Sequence, residues 1–238
     1  MYKNKVVLIT GSSRGVGLEL TKHFIKNQAT VIGFSRGIST FTNEKYWHFS
    51  LDIGDPDAIS ECFKKKIAIS FNRIDIVINN AAVLTAQFSM ILSKKSVLDM
   101  VNVNLLGVFF VSREASKLMR NNKQGRIINI GSMASSLEPI GDSIYAATKS
   151  GIISLANVMA KEFSKMNVTC NTLAITAIGT DMLNSHSASG QSKINDIIKN
   201  LPIPRMASHE DVINVIDFFA SERSSYITAQ TIYLGGIN

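Results

Sequence analysis

A chain of 238 residues with 45% hydrophobic and 18% charged residues has the length and apolar content of one folded domain with a sizeable core, which excludes a disordered or fibrous chain. The net charge of +7 is scattered, with Lys64-Lys65-Lys66 the only triple and no basic run interleaved with aromatics, so nucleic acid is not an expected partner. No apolar run approaches a bilayer span, only Val6 to Ile9 precede Thr10 and Gly11, and the two cysteines, Cys62 and Cys170, read as reduced buried thiols; the expectation is a cytoplasmic protein without a membrane segment.

In chain order, an apolar strand Val6–Thr10 runs into glycines and a helix over Gly15–Asn27. Two strands follow, Thr30–Ser35 and Tyr46–Leu51, and then a helix over Pro56–Phe71 that Asp55 caps. The pattern continues with strand Ile74–Asn79, helix Ser96–Asn121, strand Arg126–Ser132, helix Ile144–Lys165 and strand Val168–Ala174. Ser208-His209-Glu210-Asp211 resembles a capping box opening a helix over Ser208–Ala220, and Thr231–Leu234 is a last strand. Strands alternating with helices predict βαβ units, hence an α/β protein: one Rossmann-type, doubly wound parallel sheet of about seven strands with helices on both faces. Residues 1–238 read as one domain. The serine-rich stretch Asn184 to Gly190 marks a substrate flap over about 182–201.

The glycine loop comes first in any functional reading. Gly11, Gly15 and Gly17 follow a strand and open a helix, which turns backbone N–H groups and the positive helix end towards a pyrophosphate. Ser12, Ser13, Arg14 and Val16 complete the loop. An NAD-preferring site places an acidic residue about 20 positions on, to bind the ribose 2′-hydroxyl. No Asp or Glu occurs from Leu20 to Asn43; Ser35 and Arg36 close the second strand instead, and Arg14 lies in the loop. Two guanidinium groups suit a 2′-phosphate, so the expected cofactor is NADP(H).

Downstream, Tyr145 and Lys149 are four apart on one helix face, where an ammonium favours the phenolate of a tyrosine that titrates near 10 by itself. Ser132 ends a buried strand at the side of the sheet where ligands collect, placed to hydrogen-bond a substrate carbonyl. Asn104 is an amide inside the apolar Val101–Val111 stretch and needs a buried partner. Taken singly, each has a bland structural reading.

Together with Asn79-Asn80-Ala81-Ala82 after the fourth strand, these residues resemble the short-chain dehydrogenase/reductase family from Val6 to Gly236. The resemblance implies Tyr145 as general acid-base, with Lys149 lowering its pKa and holding the nicotinamide ribose. It further implies Ser132 as the group positioning the carbonyl, and Asn104 as holder of a relay water. Asp52 and Ile53 would contact adenine, Asn80 and Ala81 would line the cofactor, and Ile178 and Thr180 would reach the carboxamide. No histidine or cysteine spacing suggests a metal.

Three positions depart from the family pattern: Ile175-Thr176 stands for Pro-Gly, Ala82 for a glycine after Asn79-Asn80-Ala81, and Ala229 for a glycine near the chain end. "GRIINIGS", "YAATKSG" and "QTIYLGG" look most like the β-ketoacyl-acyl-carrier-protein reductases. That subgroup implies pro-S hydride transfer to a ketone and fatty acid biosynthesis. It also implies a homotetramer (or homodimer) and an acyl carrier protein docking at positions matching Lys123 and Met166, of which Lys123 alone carries charge. Two alternatives stay open: an enzyme acting on a free ketone, secondary alcohol or sugar derivative, and a non-catalytic NADP(H)-binding regulator.

Overall fold

A computed structural model of the protein describes residues 1–176, 178 and 198–237. Seven strands form one sheet: β1 (Val6–Thr10), β2 (Thr30–Ser35), β3 (Tyr46–Ser50), β4 (Ile76–Asn79), β5 (Gly125–Ser132), β6 (Val168–Ile175) and β7 (Thr231–Tyr233). Their spatial order is β3-β2-β1-β4-β5-β6-β7, and every pairing is parallel. The central strands are buried on both faces, as their unbroken apolar runs require.

The helices are α1 (Gly15–Lys26), α2 (Pro56–Cys62), α3 (Ala68–Ser70), α4 (Lys94–Val101), α5 (Val108–Asn122), α6 (Ala134–Leu137), α7 (Ser143–Phe163) and α8 (His209–Ala220). One core layer sets Leu20 and Phe24 of α1 and Val212, Ile216 and Phe219 of α8 against Val7, Ile9 and Val31. The opposite layer sets Ile59 of α2, Val111 and Ala115 of α5 and Ala156 and Met159 of α7 against Leu8, Ile32 and Ile127. The sheet is therefore covered on both sides, and the Rossmann-type reading holds. The capping predictions hold as well: Asp55 accepts from the Asp57 and Ala58 N–H groups, and Ser208 and Asp211 form the reciprocal box.

The structure corrects two helices. Pro56–Phe71 divides into α2 and α3 around a wide π-turn, Phe63–Ile67, and the next long helix starts at Lys94 behind the Ser93 cap and carries a second π-turn, Asn102–Gly107, before α5. Lys94–Asn122 is thus a 29-residue run whose length and hydropathy would suffice to cross a membrane. Here Met100, Val108, Val111, Ala115 and Met119 of the run are buried in the protein's own core, while Leu98 and Leu106 are exposed.

β1 pairs with β2 on one side and β4 on the other, and the chain goes on from β1 and β4 to helices on opposite faces, so the strand order switches direction between these two strands. Ligands of open α/β sheets bind at such a switch point, in the crevice at the carboxyl ends of the strands.

Candidate active site

The glycine loop is built on the end of β1. Gly11 and Gly15 have φ of +71° and +53°, the left-handed region that glycine enters at little cost. A Cβ on Gly11 would come within 2.9 Å of Asn80 Nδ2, and one on Gly17 would collide with the Gly11 carbonyl. These glycines thus let the β1 and β4 turns touch. The contact is cemented by Thr10, whose hydroxyl accepts from the Asn80 and Ala81 N–H groups at 3.0 Å each, while Asn80 Nδ2 donates to the Thr10 carbonyl at 2.9 Å. α1 begins at Arg14 with no side-chain cap and no acidic residue in its first turn, which suits an anionic group at its N-terminus. Arg14 is exposed, Ser13 and Val16 are half-buried, and Ser12 is fully buried with its hydroxyl accepting from Tyr46 at 2.8 Å. The Ser12 side chain therefore supports the loop from inside.

Ser35 and Arg36 close β2, with Arg36 exposed and Ser35 hydrogen-bonded to His48 at 2.7 Å. Asp52 turns the chain after β3 by accepting from the Gly54 N–H, and Ile53 is buried against Gly107.

The candidate chemical groups lie beyond the ends of β4 and β5. Asn104 lies in the second π-turn, fully buried, and grips the chain after β4: its Oδ1 accepts from Val83 N at 2.8 Å, and its Nδ2 donates to Val83 O at 2.9 Å and to Thr148 at 3.4 Å. The buried partner demanded by the sequence is thus the Val83 backbone. Ser132 ends β5, its oxygen accepting from the Ala134 N–H at 3.1 Å, and its side chain lies close enough to the Tyr145 phenol to act on its titration. Burial pushes the Tyr145 phenol up, and the Ser132 side chain pulls against that shift. One turn later on α7, Lys149 is buried, donates to the Ile130 carbonyl at 2.7 Å and lies 5.7 Å from the Tyr145 ring centre. Burial brings its pKa down to about 8.

β6 runs straight through Ile175, which pairs with Ser132 and accepts from the Met133 N–H at 3.0 Å. The β-branched Ile175-Thr176 pair thus leaves the strand extended where a Pro-Gly would bend it. Ile178 is buried and bridges Ala207, while Thr180 and all but the last residues of the expected flap lie outside the described residues.

Residues 5–190 match the family model described as short chain dehydrogenase. The chain belongs to the short-chain dehydrogenase/reductase family. It is 30% identical to the 3-oxoacyl-[acyl-carrier-protein] reductase FabG of Escherichia coli (strain K12), over 99% of this chain and 97% of that protein. Among solved structures it is similar to ElxO with NADP bound, with a TM-score of 0.87, 28% identity and 97% of each chain covered. It is also similar to the ligand-free aldohexose dehydrogenase of Thermoplasma acidophilum, with a TM-score of 0.89, 25% identity, and 98% and 94% of the two chains covered. As a short-chain dehydrogenase/reductase the protein is an oxidoreductase acting between CH–OH and C=O groups with a nicotinamide cofactor.

Sequence reasoning missed Thr10, Tyr46 and His48. Thr10 carried a signal, a polar residue ending an otherwise apolar strand. Tyr46 and His48 carried none, because their partners are 34 and 13 positions away in sequence.

Proposed function

We propose that this protein is an NADPH-dependent carbonyl reductase acting on a 3-oxoacyl thioester. The Ser132–Tyr145–Lys149 arrangement carries the reading: a phenol beside a strand-end hydroxyl, and a buried ammonium one helical turn away. The uncapped start of α1 fits a pyrophosphate, and Arg14 and Arg36, with no acid at the end of β2, fit a ribose 2′-phosphate.

When bound, the reduced nicotinamide supplies the hydride. Ser132, its oxygen already polarised by the Ala134 N–H, donates to the substrate carbonyl oxygen. Tyr145 delivers its proton to that oxygen as negative charge develops there, and burial keeps the phenol protonated beforehand, the state a reductase requires. Lys149 places positive charge beside the phenolate that remains. Asn104 is a positioning residue, holding the Val83 backbone that borders the cleft.

The Escherichia coli relative supports a carrier-bound substrate. Of the two positions where the resemblance puts a basic pair, Lys123 is exposed on a left-handed turn, whereas Met166 packs against the core. Carrier docking therefore rests on Lys123. A free ketone, secondary alcohol or sugar derivative is the second reading, favoured by the unbent β6 end beside Ser132.

The test follows NADPH consumption with a β-ketoacyl thioester and a panel of free ketones and keto-sugars. Wild type should turn over the thioester, and Tyr145→Phe should lose about a hundredfold or more in kcat. Tight NADPH binding with no turnover of any compound overturns the enzyme reading.

A further inference from the structure

The edge strand β3 makes an unusual set of contacts with the adenosine side of the cleft. Alternate residues of a strand share one face, and on β3 these are Tyr46, His48 and Ser50. Each bonds a different part of the neighbouring loops. Tyr46 donates to Ser12 Oγ at 2.8 Å, His48 Nε2 lies 2.7 Å from Ser35 Oγ, and Ser50 donates to the Arg36 carbonyl at 2.8 Å. Gly33 of β2 makes room for the first of these, since a Cβ there would stand 2.6 Å from the Tyr46 ring. The register Gly33↔His48 and Ser35↔Ser50 brings this face beside the end of β2.

The direction of the middle contact follows the histidine tautomer. A serine hydroxyl has one proton, and Ser35 Oγ stands 2.9 Å from the Gly37 carbonyl as well as 2.7 Å from His48 Nε2. With that proton on Gly37, the His48 ring nitrogen is the donor, its N–H on Ser35 Oγ. Burial lowers the His48 pKa, consistent with a neutral ring that carries a single N–H. A donor behind the oxygen leaves the serine proton able to turn from Gly37 to an incoming anion and polarises it for that bond.

Building on the NADP(H) reading, we infer that His48 is a positioning residue for coenzyme choice, its Nε2–H orienting the Ser35 hydroxyl as donor to the ribose 2′-phosphate beside Arg36. NADH offers this donor only a neutral 2′-hydroxyl, a much weaker acceptor than a phosphate oxygen, so the contact discriminates between the two coenzymes.

The test is calorimetric titration of the purified full-length protein with NADPH and with NADH, without substrate. Wild type should bind NADPH at least about tenfold more tightly than NADH, and Arg36→Ala should erode that ratio. His48→Phe, which keeps a flat ring but removes the N–H, should weaken NADPH about five- to tenfold and leave NADH unchanged. His48→Gln, which returns an N–H donor, should recover most of the loss. Unchanged NADPH affinity in His48→Phe, equal weakening of both coenzymes, or a glutamine variant as weak as the phenylalanine variant overturns the role of His48 while the coenzyme reading stands. Equal affinity of wild type for the two coenzymes, unaffected by Arg36→Ala, overturns the coenzyme reading and this inference with it.

Discussion

Lys149 has the properties of a residue kept at a cost. Its ammonium is buried, rests on the Ile130 carbonyl and has its pKa brought down from the ordinary 10.5 to about 8. Between those values the unfolded chain binds the proton that the folded chain has released, so stability rises with pH across this window. Below about 8 the full penalty applies, roughly 3 kcal/mol at 1.36 kcal/mol per unit. Lys149→Met should therefore raise the unfolding free energy at pH 7 by about 1–3 kcal/mol while abolishing reduction. Urea titration checks the first part, and a variant less stable than wild type refutes it. The same value sets a limb of the rate profile. As pH climbs through about 8, the ammonium that favours the Tyr145 phenolate is lost, so kcat/KM for ketone reduction should fall on the alkaline side. A profile flat to pH 10 contradicts this role.

At the level of elements, the turn before β7 shows what a departure from the family pattern costs. Ala229 has φ of +57°, and its N–H donates to the Cys170 carbonyl at 2.8 Å, so the left-handed conformation is imposed by pairing with β6. A side chain there costs about 1–2 kcal/mol, partly offset by the entropy a glycine loses on folding. Ala229→Gly should stabilise the protein by about 0.5–1 kcal/mol, seen as a higher midpoint in denaturant, and no gain would mean that the turn relaxes around alanine. Strands and caps were legible at this scale because they depend on local signals. Val6–Ile9 is continuously apolar, and Asp55 and Ser208 stand directly before their helices. The π-turns were not legible. A helix widened by one residue keeps the same apolar stripe to within a fraction of a turn, and although Asn104 declared its need for a buried partner, nothing in the sequence identified the Val83 backbone as that partner. The candidate site was legible where short spacings carry it, as in Gly11 to Gly17 or Tyr145 to Lys149. It was opaque where β3 reaches back to Ser12 and Ser35, because such pairings exist only after the sheet has assembled.

For the molecule as a whole, one core layer, the one covered by α2, α5 and α7, buries both cysteines. Burial pushes the Cys62 and Cys170 thiols up to about 11 and about 12, so neither is a thiolate near neutrality. Both should react with a thiol reagent together and no faster than the protein unfolds, and mass spectrometry of partly labelled samples would then show unmodified and doubly modified chains. A prominent singly labelled species would show local opening around one cysteine without unfolding of the layer they share. The strand order also bears on synthesis. β1 leaves the ribosome first, but its second neighbour, β4, ends at Asn79. Until then the most apolar strand of the protein can pair on one side through β2, and its other edge stays open to any extended chain nearby. The interval between the emergence of β1 and that of β4 is therefore the one in which this protein has most need of a chaperone, and its risk of aggregation should drop once the fourth strand has emerged.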